Sequence, residues 1–126
     1  MSHRKNKYMS LSGINVIDSP EADLKAQAST ILDEKIHGIS FSPYGEGQKP
    51  GDKVSEEQIQ QRLAVISSST NWIRSFSCSK GNELIPKAAK EMGLKTLVGA
   101  WLDEDLENNE KEIENLINLG KAGLVD

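Results

Sequence analysis

Few side chains in this sequence are placed to do acid–base, nucleophilic or metal chemistry. Asp103, Glu104 and Asp105 form the only carboxylate cluster at the end of an apolar run. They could supply an acid–base pair, but adjacent acids in a loop more often form a solvated face. His37 has no second histidine nearby and reads as a strand residue rather than a ligand or base. Cys78 is the sole cysteine, which excludes an intramolecular disulfide and leaves no spacing for a structural zinc site. With no histidine in reach by pattern, it reads as a small buried or half-buried thiol. No metal or cofactor is expected. Arg74 stands in the middle of an apolar run, where a charge is costly unless an acid meets it. Tyr44 and Trp101 each end such a run and combine a flat apolar face with a hydrogen-bonding edge.

The elements that must position these residues fall into a leader and a repeat. In the leader, residues 1–35, Asp18-Ser19-Pro20-Glu21 is a helix-start signal and predicts one short helix to about Leu32. Its stripe of Ala22, Leu24, Ala26, Ala28, Ile31 and Leu32 is thin, so weak packing is expected. From Ile36 to Asp126, short apolar runs alternate with helical periodicity, the pattern of strand/helix units sharing a parallel sheet. The first run is Ile36–Ser42, followed by a Gly/Pro-rich loop through Asp52. A helix then starts at Ser55, with Gln58 completing a capping box and Ile59, Leu63 and Ile66 supplying the buried face.

The second run, Trp72–Ser77, leads to a turn in which Asn82 can cap a helix ended by Gly93. That helix carries Leu84, Ile85, Ala88, Ala89 and Met92 at core spacing. The third, Lys95–Leu102, precedes a helix in which Asn109 and Glu112 make a capping-type pair and Ile113, Leu116, Ile117 and Gly120 share a face. Strand alternation puts Trp72, Arg74 and Phe76 on one face and Ile73 and Ser75 on the other. Gly38, Ser40 and Ser42 alternate in the same way with Ile39 and Phe41. Such an order permits a closed barrel or an open doubly wound sheet; a barrel interior with acids on neighbouring strands would satisfy Arg74.

The chain has 126 residues and a formal net charge of −4, with basic residues dispersed among acidic ones. No stripe tracks a phosphate backbone, so nucleic acid is not an expected partner. The basic cluster from His3 to Lys7 reads as a solvated tail. Met9–Ile17 is too interrupted for a signal sequence, and no run is long enough to span a membrane, so cytoplasmic residence is the default expectation.

Three segments carry a resemblance. Gly38-Ile39-Ser40-Phe41-Ser42-Pro43-Tyr44, Trp72-Ile73-Arg74-Ser75-Phe76-Ser77, and Gly93-Leu94-Lys95 with Gly99-Ala100-Trp101 resemble the first three strands of bacterial glycoside hydrolase family 17 proteins. It covers Ile36 to Asp126 and leaves residues 1–35 uncovered. That family implies a (β/α)8 barrel acting on β-1,3-glucans, or remodelling β-glucans by transfer, with retention of configuration. A complete barrel takes about 250 residues, so this chain would be an incomplete one: its first three βα units after a helical leader.

Retention requires two carboxyl groups about 5 Å apart. In the family, the acid lies in a Gly-Asn-Glu ending the fourth strand, and the nucleophile lies on a later strand. Gly81-Asn82-Glu83 spells the triplet here but follows the second strand, where capping by Asn82 and the helix dipole near Glu83 account for it. No catalytic residue is therefore expected in this chain. Strand-end positions of a barrel carry its site, which points to Ser42, Tyr44, Arg74, Phe76 and Trp101 as substrate-binding residues along one wall of a glucan cleft. Taken alone the chain is expected to be inactive, with its third strand an unpaired edge and Arg74 without its acids; self-association through strand edges would relieve the first. A non-catalytic glucan-binding or interaction module is the alternative. A flavodoxin-like open sheet is a third reading, although the loop with Gly45, Gly47 and Gly51 matches no phosphate-loop spacing.

Overall fold

The structure is a computed structural model that describes residues 15–126; the His3–Lys7 cluster lies outside the described residues. The chain divides after Glu34 into two units. In the first, α1 spans Glu21–Asp33, with Pro20 at its N-cap and Glu21 and Asp23 in its first turn. None of its residues is buried, the outcome its thin apolar stripe predicts.

The second unit runs β1 (Ile36–Ser40), α2 (Glu56–Ile66), β2 (Thr70–Ser75), α3 (Ile85–Glu91), β3 (Lys95–Val98) and α4 (Leu106–Lys121). The strands form one parallel sheet in the order β1-β2-β3. They stop short of the apolar runs that announce them. Phe41 N–H still donates to Arg74 O at 2.9 Å and Gly99 N–H to Ser75 O at 3.1 Å, after which the backbone leaves the ladder for the βα loops.

α2 and α3 pack together, with α3 also against β3, and the core holds Phe41, Val54, Ile59, Leu63, Ile73, Ile85, Ala88, Ala89 and Leu94. Each of the larger aliphatic side chains contributes roughly 1.5–3 kcal/mol by leaving water. Ile73, Ser75 and Thr96 are buried on the helix side of the sheet. The alternation predicted for β2 places Trp72 and Arg74 on the opposite, open face, opposite Gly38 and Ser40 of β1 and beside Leu97 of β3. Gly38 lets the two strands sit close there: a Cβ would lie 3.1 Å from the Trp72 Cβ, a tight contact.

Ser55 caps α2 as predicted, its side chain accepting from Gln58 N–H. The reciprocal half of the box is absent, because the Gln58 amide turns away to the preceding loop. Asn82 does not cap α3; it opens a 3-10 turn, Asn82–Leu84, behind Gly81 at φ 97°, and α3 follows without a side-chain cap. α4 departs further. Its N-cap is Asp105, which accepts from Asn108 N–H, and its buried residues are Glu112 and Leu119, while Ile113 and Ile117 are 39% and 50% exposed. The helix turns Glu112 inward in place of Ile113 and Ile117, and the loops after β2 and β3 supply four hydrogen-bond donors to its carboxylate.

The predicted bare edge of β3 is also corrected at one point. Asp126 N–H donates to Thr96 O at 3.4 Å, Thr96 N–H donates to Asp126 Oδ2 at 3.0 Å, and Thr96 Oγ1 donates to Leu124 O at 3.2 Å. Leu124–Asp126 thus lies beside β3 at Thr96. Among the described residues no helix is long and apolar enough to cross a membrane.

Candidate functional site

The loops leaving the carboxyl ends of the three strands enclose a cleft of about 360 Å³, at the lower end of the range for small-molecule sites. Ser42, Tyr44, Phe76 and Trp101 all line it. Arg74 does not; it lies on the open face in a shallower hollow with Ser40, Trp72 and Leu97. Its guanidinium sits 4.8 Å over the Phe76 ring and makes no ion pair among the described residues. Trp72 beneath it is flanked by His37, with ring centroids 6.1 Å apart, and by the Lys95 ammonium at 5.3 Å. His37 is therefore an exposed stacking residue on the strand.

The Tyr44 wall is held from two sides. Its hydroxyl accepts from Asn82 Nδ2 at 3.2 Å and Gly51 N–H at 3.4 Å, so its ring stands fixed beside the cleft. The loop behind it is braced by α2: Gln58 Nε2 donates to Pro43 O at 2.7 Å and to Gln48 Oε1 at 2.6 Å, and that same oxygen accepts from Gly45 N–H at 2.7 Å. In the triplet, Asn82 is buried with its amide on Tyr44 and Ser79 O, and Glu83 accepts from Gly81 N–H at 2.8 Å. These bonds give both residues structural work.

At the floor of the cleft lies the residue that sequence reasoning assigned to a helix cap. Glu112 is 1% exposed. Its Oε1 accepts from Ser77 Oγ at 2.5 Å and Ser79 Oγ at 2.6 Å; its Oε2 accepts from Cys78 N–H at 2.6 Å and Trp101 N–H at 3.1 Å. One turn on, Asn115 Nδ2 donates to Cys78 O at 2.6 Å. Burial alone would raise the Glu112 pKa, but the hydrogen bonds from Ser77, Ser79, Cys78 and Trp101 outweigh it and hold the carboxyl below its usual range. The available signal was phase: Glu112 is four residues before Leu116 and seven before Leu119, a helical face the Ile113 reading passed over.

Cys78 is wholly buried, and burial, then the charges of Glu112 and Glu83, push its thiol up to about 12. It is expected to resist iodoacetamide at pH 8 in the folded chain and to react once denaturant is added. Rapid labelling of the native protein, followed by mass spectrometry, would contradict the burial. Asp103, Glu104 and Asp105 are all exposed, with Asp103 Oδ1 taking Asp105 N–H at 2.8 Å and Asp105 capping α4. Among the described residues no group of three or more His, Cys, Asp and Glu side chains is arranged to hold a metal ion.

No protein-family model matches the chain, and no curated protein matches it. Solved structures do. A glycoside hydrolase family 17 β-1,3-glucanosyltransferase from Rhizomucor miehei aligns with a TM-score of 0.52 at 22% identity, covering 69% of this chain and 31% of that one. An active-site mutant of the Rhizomucor miehei β-1,3-glucanosyltransferase in complex with laminaritriose aligns with the same TM-score, identity and coverage. The chain therefore shares the fold of part of these enzymes, in line with the likeness carried by its strand motifs, and spans less than a third of their length, 31%.

Proposed function

We propose that this chain is the first part of a (β/α)8 barrel of the glycoside hydrolase family 17 type, and that it supplies one wall of a cleft for β-1,3-linked glucan. The observation that carries this reading is the cleft itself, with Tyr44, Phe76 and Trp101 around a pocket at the carboxyl ends of parallel strands. That is where a barrel keeps its site. The likeness to a glucanosyltransferase, one of whose structures holds laminaritriose, supports the substrate class.

In this reading the apolar face of a glucose ring stacks on Trp101, which is 56% exposed, and Ser42 adds a hydroxyl at the rim. Retaining chemistry needs a nucleophile and an acid about 5 Å apart. The cleft is lined by two carboxylates, Glu112 and Asp103. Glu112 already accepts four hydrogen bonds, which occupy the lone pairs that a nucleophile or proton carrier would use. Among the described residues Asp103 shares the cleft with no other carboxylate that is free to react, so in this reading the reacting pair comes from other strands of the barrel. Hydrolysis and glucosyl transfer share that pair and differ only in the acceptor.

Calorimetric titration with laminaritriose tests the wall. Trp101→Ala is expected to weaken binding roughly thirtyfold, the factor that about 2 kcal/mol of aromatic contact represents. Equal affinity of both proteins would remove Trp101 from the wall, and absence of binding by either would overturn the glucan reading. Turnover of laminari-oligosaccharides by this chain alone would contradict the assignment of the carboxylate pair to other strands.

A further inference from the structure

Glu112 is an anion without a cation: no Lys, Arg or His makes an ion pair with it among the described residues. Hydrogen-bond donors neutralise it instead, three from the loop after β2 and one from the loop after β3. These two loops carry opposite parts of the cleft, Phe76 and Ser77 on one and Trp101 on the other. Trp101 is more than half exposed, at 56%. Its backbone N–H, however, ends on a buried carboxylate that is itself held by three further bonds.

We infer that Glu112 is a positioning residue: its carboxylate ties the two loops together and sets the orientation of Trp101 across the cleft. The consequence for ligand affinity rests on the glucan reading, whereas the effect on Trp101 does not. Methionine at the same position keeps the length of the side chain but offers no oxygen to the four donors, so the Trp101 N–H loses its partner; an amide would not do this, because the Ser77 and Ser79 hydroxyls can turn to accept from it.

The test uses the chain with Trp72→Phe, leaving Trp101 as the sole fluorophore of the two tryptophans. Glu112→Met is expected to leave the far-ultraviolet circular dichroism unchanged, lower the emission anisotropy of Trp101, and weaken laminaritriose binding about tenfold, the worth of one charge-assisted hydrogen bond. In a Trp101→Ala background, with Trp72 intact, Glu112→Met is expected to cause no further loss of affinity. Unchanged anisotropy, or an equal loss of affinity in both backgrounds, would overturn the inference. If the wild-type chain binds no laminaritriose, the glucan reading fails while the anisotropy still decides the role of Glu112. Should Glu112→Met not fold, amide hydrogen exchange of the unsubstituted chain decides. A Trp101 N–H protected despite its exposed side chain supports the clasp, and an N–H exchanging at the rate of an open loop refutes it.

Discussion

Alanine at Gly81 is expected to cost roughly 3 kcal/mol or more, a large share of the stability of a small domain. Two effects coincide there. Gly81 has φ 97°, a conformation L residues avoid, and an added Cβ would lie 2.1 Å from Val54 O. Val54 cannot step aside, because it is a core residue whose own N–H donates to Lys80 O at 3.0 Å. Gly93→Ala is the matched control. It shares a positive φ, 76°, but nothing lies within 4 Å of its Cβ, so only about 1–2 kcal/mol of backbone strain is expected. Urea midpoints followed by circular dichroism separate the two, and equal midpoints would show that the close approach to Val54 is not real.

The second large effect belongs to Glu112→Leu, which leaves two hydroxyls and two amides without an acceptor and is expected to remove about 3–5 kcal/mol at pH 7. Its pH dependence has a definite sign. The folded-state pKa is depressed, so the unfolded chain takes up this proton more readily as the solution is acidified. The stabilisation is complete above the unfolded glutamate value, about 4.3, and is lost as pH falls through the folded one. The gap between wild type and Glu112→Leu is therefore expected to narrow below pH 5. A gap constant from pH 7 to pH 3 would mean that the carboxylate charge contributes nothing.

The three parallel strand/helix units were legible because their signals are local and redundant. Ile59 and Leu63 sit at helical spacing behind a Ser55 cap, and Ile73 alternates with Trp72 and Arg74. The cleft-lining positions Ser42, Tyr44, Phe76 and Trp101 followed from a positional rule about strand ends rather than from any motif of their own. What escaped was every polar side chain whose partner is remote in sequence. Asn109 with Glu112 fits a capping pair locally, and only the loop from Ser77 to Ser79, 33 to 35 residues away, turns that glutamate inward. Asn82 likewise prefers Tyr44 to the helix it precedes. Local rules offer such residues a partner nearby, and tertiary structure offered a better one.

The Gln58 bridge makes one wall of this cleft depend on a helix. Between Phe41 and Val54 the chain has no ladder to follow, and the carbonyl of Pro43 is met by a side chain 15 residues on. Gln58 sits in the first turn of α2, behind the Ser55 cap. Fraying of that turn therefore loosens the loop behind Tyr44 while the sheet is untouched, and leaves the ring held by Asn82 and Gly51 alone.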